Sequence, residues 1–348
     1  MGKPNRACKF AGLAALAAAF AASAQDSPTA VTGLQSEVVF TEYSPLSRSE
    51  ELARRILSPL TNVEIAKASV TSGLRPQAID LNQETFVVYV PVKRPPQGYG
   101  LLVFIPPQQR ANLPGGWASV LDEQGMIFVS ASKSGNDESV LDRRIPLALL
   151  GAYNIMQRYP IDKDRVYVGG LSGGSRVALR TALAYPDLFR GALLNAGSDN
   201  IGDVAMVPPE ELFRQFQSSS RLVYVTGSHD RWNTDRDKDS LNSMHEMCVF
   251  STSTETMLGS GHEIADSASL HRALTTLDKT PPIDADKLSA CRARIAKELA
   301  AKLHHVSELL DRDKPHDAWE SLTKINIRYG GLAAPDSIAL EQRIGSRR

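Results

Sequence analysis

Between residues 84 and 279 the chain alternates short apolar runs with longer stretches whose apolar residues recur at helical spacing. The runs lie at 86–90, 101–105, 126–131, 166–168, 192–195, 222–226 and 254–258. Some, such as Leu101-Leu102-Val103-Phe104-Ile105, contain no polar residue at all, which is the signature of a strand covered on both faces. The helical stretches fall between them at 141–158, 173–185, 210–217, 235–247 and 265–277. Such alternation predicts βαβ units and therefore an α/β fold, a mainly parallel sheet with helices on both sides. The first strand or two are expected to pair as antiparallel partners. Ahead of this region, 38–40 reads as a short strand and 47–57 as a helix, with Ser47 and two glutamates at its start.

Behind it, Thr280-Pro281-Pro282 ends the pattern, because prolines in series break regular structure. Ile295, Leu299, Leu303, Val306 and Leu310 then form one helical stripe. Trp319, Leu322, Ile325 and Tyr329 form a second, stopped by Gly330-Gly331, and a short helix is expected after Pro335. These stripes are packing surfaces and carry no catalytic signal. The resulting division is a lead-in and helix over 25–83, an α/β domain over 84–279 and a helical extension over 280–348.

Residues 1–24 read as a secretory signal peptide. Lys3, Arg6 and Lys9 supply the positive start, an Ala/Leu/Phe stretch the apolar middle, and Ala22-Ser23-Ala24 the small-x-small site before Gln25. The apolar stretch is too short and alanine-rich for a membrane span, and nothing later in the chain is long and apolar enough for one. The expected location is secreted or periplasmic. Cys248 and Cys291 are then the mature cysteines, in a compartment where disulfides persist. A bridge and a pair of buried thiols are equally compatible with the sequence, and a bridge would clip the helical extension to the main domain.

Composition narrows the function further. Of 348 residues, 42% are hydrophobic, enough for a substantial core, and the 39 basic residues balance the 39 acidic ones. The basic residues are scattered rather than striped, which argues against nucleic acid as a partner.

Chemistry concentrates at Gly170-Leu171-Ser172-Gly173-Gly174, a G-x-S-x-G placed between the strand ending near Val168 and a helical run. A turn this tight holds its serine strained and exposed at the edge of the sheet, and the flanking glycines let strand and helix approach. The helix start also aims amides at the place where negative charge develops during acyl transfer. A phosphate-binding loop would need Lys-Ser/Thr after its last glycine, where Ser175-Arg176 stands here, and the dinucleotide spacing G-x-G-x-x-G is absent.

A serine hydroxyl needs a base, and the base an orienting acid. Asp230, in Thr226-Gly227-Ser228-His229-Asp230, follows the 222–226 strand and so sits on the edge that carries Ser172; Asp235 belongs to a charged helix start. Of seven histidines, His262, in Gly259-Ser260-Gly261-His262-Glu263, follows the last strand on a flexible loop, with His229 its nearest rival. The Gly173 N–H is the expected oxyanion donor. The second should come from Pro106-Pro107-Gln108-Gln109-Arg110, where the prolines have no N–H and Gln108 is the candidate. Ser134-Gly135-Asn136-Asp137 either lines the cleft or is a plain polar turn.

With these residues in place, the chain resembles the α/β-hydrolase superfamily over residues 84–278, and within it the secreted polyhydroxybutyrate depolymerases, feruloyl esterases and related carboxylesterases. The matching stretches run from Tyr159 to Val168 into the serine turn, from Ala184 to Phe189 after it, and over Gly227–Asp230 and Gly259–Glu263. The resemblance implies carboxylic ester hydrolysis through an acyl-enzyme, on small-molecule or polymeric esters, with no cofactor and no metal. The sequence departs from the group at Pro106-Pro107, where a His-Gly pair is common. Acyl transfer to other acceptors and peptide cleavage remain open on the same fold, as does a non-catalytic binding module, against which the complete Ser-Asp-His set argues.

Overall fold

A computed structural model describes residues 1–2, 31–72, 77–279 and 284–346. Residues 3–24 of the segment read as a signal peptide, and the Thr280-Pro281-Pro282 break, lie outside the described residues. The elements, in order, are β1 (Gly33–Val38), α1 (Ser49–Ile56), α2 (Pro59–Ser72), β2 (Phe86–Val90), β3 (Tyr99–Ile105), α3 (Trp117–Gln124), β4 (Met126–Ala131) and α4 (Ile145–Arg158). They continue with β5 (Ile161–Leu171), α5 (Gly173–Ala184), β6 (Gly191–Asn195), α6 (Glu210–Ser219), β7 (Arg221–Gly227) and α7 (Arg231–Glu246). Last come β8 (Thr252–Met257), α8 (Ser267–Asp278), α9 (Ala285–Asp311), α10 (Pro315–Tyr329) and α11 (Asp336–Gly345).

One eight-stranded sheet organises them, in the order β1-β2-β4-β3-β5-β6-β7-β8. β1 pairs antiparallel with β2 and β2 with β4, and every other neighbouring pair is parallel. Alternation along each strand divides the core in two. Leu101, Val103 and Ile105 of β3 face a cluster built with α4, α5 and α6, whereas Leu102 and Phe104 face Trp117 and Leu121 of α3 and Leu270 and Leu274 of α8. Both faces are covered, so the central strands carry continuous apolar runs such as Leu101–Ile105 of β3.

The departures from the sequence reading lie at the edge strands, at one helix start and in two helices. The first strand covers 33–38 rather than 38–40; it is an edge strand with no buried residue and little apolar signal. β8, the opposite edge, is Thr-Ser-Thr-Glu-Thr-Met and stops before Leu258, which is 87% exposed. α7 starts at Arg231, four residues earlier than expected, because Asp230 caps it. Helices α2 and α3 had no counterpart in the sequence reading.

Helices α9 to α11 share one contiguous apolar cluster with the sheet: Leu299, Leu303, Val306, Leu322, Ile325 and Ile344 join the residues beneath α4–α6. Arg292 of α9 donates to Gln217, Ser218 and the Arg214 carbonyl of α6. Cys248 and Cys291 are joined as a disulfide, with a Cα–Cα distance of 5.8 Å, linking the end of α7 to α9. Among the described residues no helix is long and apolar enough to cross a membrane.

Candidate functional site

β5 runs directly into α5 through Ser172, which holds φ 57° and ψ −119° at the helix N-cap. The two glycines of the motif make this turn possible. A Cβ on Gly170 would strike the Gly174 backbone, and one on Gly174 would strike the Ile105 carbonyl of β3. The Ser172 N–H donates to the Asn195 carbonyl on the neighbouring strand at 2.8 Å, which pins the turn to the carboxyl edge of the sheet.

Asp230 and His262 meet at that same edge. His262 Nδ1 lies 2.6 Å from Asp230 Oδ2, with the imidazole 46% exposed and the carboxylate only 8%. The contact holds the ring proton on Nδ1 and leaves Nε2 with its lone pair. Burial opposes charge on Asp230, but hydrogen bonds from His262 and Asn233 outweigh it and hold the carboxyl below its ordinary pKa. Asn233 Nδ2 donates to Oδ2 at 2.8 Å, and Oδ1 accepts the Asn233 N–H at the start of α7. Asp230 is therefore both a helix cap and the partner of the histidine.

The turns carrying acid and histidine are laced together. The Ser228 N–H donates to Met257, His229 N–H to Ser260, and Gly259 N–H to the Ser228 hydroxyl. Gly227 is required here, since a Cβ would run into the Ser260 and Gly261 carbonyls. The backbone of His229 thus serves the turn while its exposed ring takes no part in the Asp230 contact. Asp235 faces outward, paired with Lys238 at 3.1 Å.

Ser172 and His262 are not joined by a hydrogen bond among the described residues. What couples their loops is Asn195, fully buried at the end of β6. Its carbonyl takes the Ser172 N–H, its Nδ2 donates to Val225 and Glu263, and its Oδ1 accepts the Ala265 N–H at 2.7 Å. Trp117 Nε1 donates to the Ala265 carbonyl from the opposite side. One residue therefore ties the serine turn, through its backbone carbonyl, to the end of β7 and the histidine loop, through its side chain. Sequence reasoning missed both Asn195 and Asn233, because neither belongs to a motif.

With the serine on a strand-to-helix turn, followed by an acid after β7 and a histidine after β8, the architecture is settled. The chain has the α/β-hydrolase fold. No family model matches it. The poly(3-hydroxybutyrate) depolymerase of Ralstonia pickettii is 27% identical over 95 residues, which span 23% of this chain and 20% of that one. The match therefore covers about a fifth of the length of that curated relative. Similar solved structures include an S-formylglutathione hydrolase from Staphylococcus aureus, 12% identical with a TM-score of 0.43, over 56% of this chain and 93% of that one. An acetyl xylan esterase from Aspergillus awamori is 15% identical with a TM-score of 0.43, over 56% and 94%.

The remaining predicted residues sit around the α/β-hydrolase turn. Gly173 opens α5, and a Cβ there would meet the Asn136 side chain. The 134–137 segment packs on the loop after β3, with the Asn136 N–H donating to Pro107 at 3.0 Å and Gly135 pressed against Gln108. Gln108 is exposed on that loop. Arg144 binds the two segments from below, donating to the carbonyls of Ser134 and Pro106. Its burial, with repulsion from Arg180, lowers the guanidinium to about 10.

Proposed function

We propose that this protein is an exported serine hydrolase that cleaves carboxylic esters through an acyl-enzyme on Ser172. The observation that carries the reading is the 2.6 Å Asp230–His262 contact, delivered by laced loops to the sheet edge that presents Ser172. The name of the Ralstonia relative, a polyester depolymerase, supports an ester as the substrate. Export rests on the amino-terminal pattern of Lys3, Arg6 and Lys9 followed by an alanine-rich run.

In this mechanism Nε2 of His262 takes the Ser172 proton as Oγ attacks the ester carbonyl, and Asp230 stabilises the imidazolium that forms. The Gly173 N–H, first amide of α5, receives the oxyanion, with Gln108 as second donor from the facing loop. The imidazolium then protonates the departing alcohol, and a water activated by the same nitrogen releases the acid. The scheme does not require a Ser172–His262 bond before substrate arrives, because such bonds commonly tighten only in the complex.

Ser172→Ala should abolish turnover of nitrophenyl esters, a loss of about 10³-fold or more. Retention of the wild-type rate by that variant would overturn the assignment.

A further inference from the structure

Beside the proposed triad lies a group of charges the mechanism does not use. Asp199, on the loop after β6, is 2% exposed and already holds two close partners, Arg180 at 2.8 Å and Arg236 at 3.0 Å. A third arginine, Arg176, comes no nearer than 3.9 Å. Three guanidiniums thus face one coordinated carboxylate. Asp237, next to Arg236, is buried and hydrogen-bonded to Thr226 and adds a second negative charge, while Asp235 is engaged outward by Lys238, so three arginines still stand against two carboxylates. Burial and repulsion from Arg236 and Arg180 press Arg176 below the ordinary guanidinium pKa, against the pull of Asp199 and Asp237. It is the surplus cation of the group.

The position of this surplus is what gives it meaning. Arg176 lies in the first turn of α5, and its N–H bonds back to the Ser172 carbonyl. Trp232 lies in the first turn of α7, two residues past Asp230. The Arg176 and Arg236 guanidiniums sit 5.5 and 4.8 Å from the Trp232 ring centroid, so the indole bridges the two helices that present nucleophile and acid. Trp232 is 62% exposed, an apolar plate open to solvent beside the proposed reaction centre.

We infer that Arg176, Arg236 and Trp232 form a subsite for a carboxylate group carried by the substrate ester. The inference rests on the hydrolase reading and sharpens it by naming a substrate class: esters with a free carboxylate on the acyl or the alcohol part. The guanidiniums offer hydrogen-bond donors suited to a planar anion, and the indole covers the carbon chain leading to it. A carboxylate held there relieves the repulsion among the arginines, and a neutral group does not.

The test compares kcat/KM for two matched pairs, each value divided by the rate of hydroxide-catalysed hydrolysis. Mono-4-nitrophenyl glutarate against 4-nitrophenyl valerate probes the acyl side; 4-acetoxybenzoate against 4-tolyl acetate probes the alcohol side. At least one pair should favour the anion by roughly tenfold at low salt, and the preference should shrink in concentrated salt. In Arg176→Gln, which leaves Asp199 its two close partners, and in Trp232→Ala, at an exposed site, the ratio should fall toward one, chiefly through KM. No anionic preference in either pair, or an undiminished preference in Arg176→Gln, overturns the subsite. Turnover of the neutral esters reports separately on the hydrolase reading: if neither they nor the anions are hydrolysed, that reading fails and the subsite with it.

Discussion

Ser172 adopts a positive φ that a residue with a Cβ reaches only at a cost of about 1–3 kcal/mol, so its surroundings must enforce it. Asn195 does much of that enforcing. Its backbone carbonyl holds the serine turn whatever the side chain, while its amide group holds the histidine loop, so a change of side chain should misplace the histidine loop against a serine turn left in place. Asn195→Asp keeps the acceptor for Ala265 and replaces the donors with a buried negative charge. Its kcat should fall about 10²-fold with KM little changed, and reaction with a serine-directed phosphonate should slow in parallel. Equal losses in kcat and folded fraction, with normal reactivity of what remains folded, would reduce Asn195 to a structural role.

At the scale of elements, the α5 turn and the α7 start put Ser172 and Asp230 on the sheet edge, and each has a separate cost. Asp237, in the second turn of α7, is buried and raised to about 6, first by desolvation and then by the nearby Asp230, despite the hydrogen bond from Thr226. A carboxyl whose folded pKa exceeds its unfolded one favours the fold only while protonated. That contribution is complete below the ordinary Asp value and lost as pH rises through 6. Asp237→Asn should therefore raise stability above pH 7 by up to about 3 kcal/mol and bring no gain near pH 3, measured as denaturant midpoint against pH. An equal change at both pH values would contradict it.

Elements were legible where burial imposed a pattern. The continuous runs at β3 and β4 and the G-x-S-x-G between β5 and α5 stand out because strands covered on both faces exclude polar residues. The edge strands β1 and β8 were misplaced for the opposite reason, their exposed positions being free to be Ser, Thr or Glu. Helix α3 has only eight residues between two left-handed glycines, Gly116 and Gly125, and its buried Trp117 and Leu121 gain meaning only against β3 and β4. Asp230 and His262 could be named from their places after strands. Asn195 could not, since its partners lie 68 and 70 residues away and no local signal marks such a bond.

Across the whole molecule, the carboxyl edge of the sheet carries the proposed triad and the amino edge carries restraint. The Cys248–Cys291 bridge closes a separation of 43 residues at the end of α7 remote from Asp230. Replacing both cysteines by alanine should lower stability by about 3–4 kcal/mol on the loop-entropy scale while sparing specific activity at room temperature. Helices α9–α11 act through the same shared core, because Leu303, Val306 and Ile325 bury against the body that supports α6.

The central claim is that Ser172 is a nucleophile activated by His262 and Asp230. Treatment with a fluorophosphonate, followed by mass mapping of peptides, tests it most directly. The account predicts a single adduct on the peptide bearing Ser172, formed at least about 10²-fold more slowly in His262→Ala. An enzyme that hydrolyses esters yet is labelled elsewhere, or is labelled at Ser172 equally fast without His262, would contradict it.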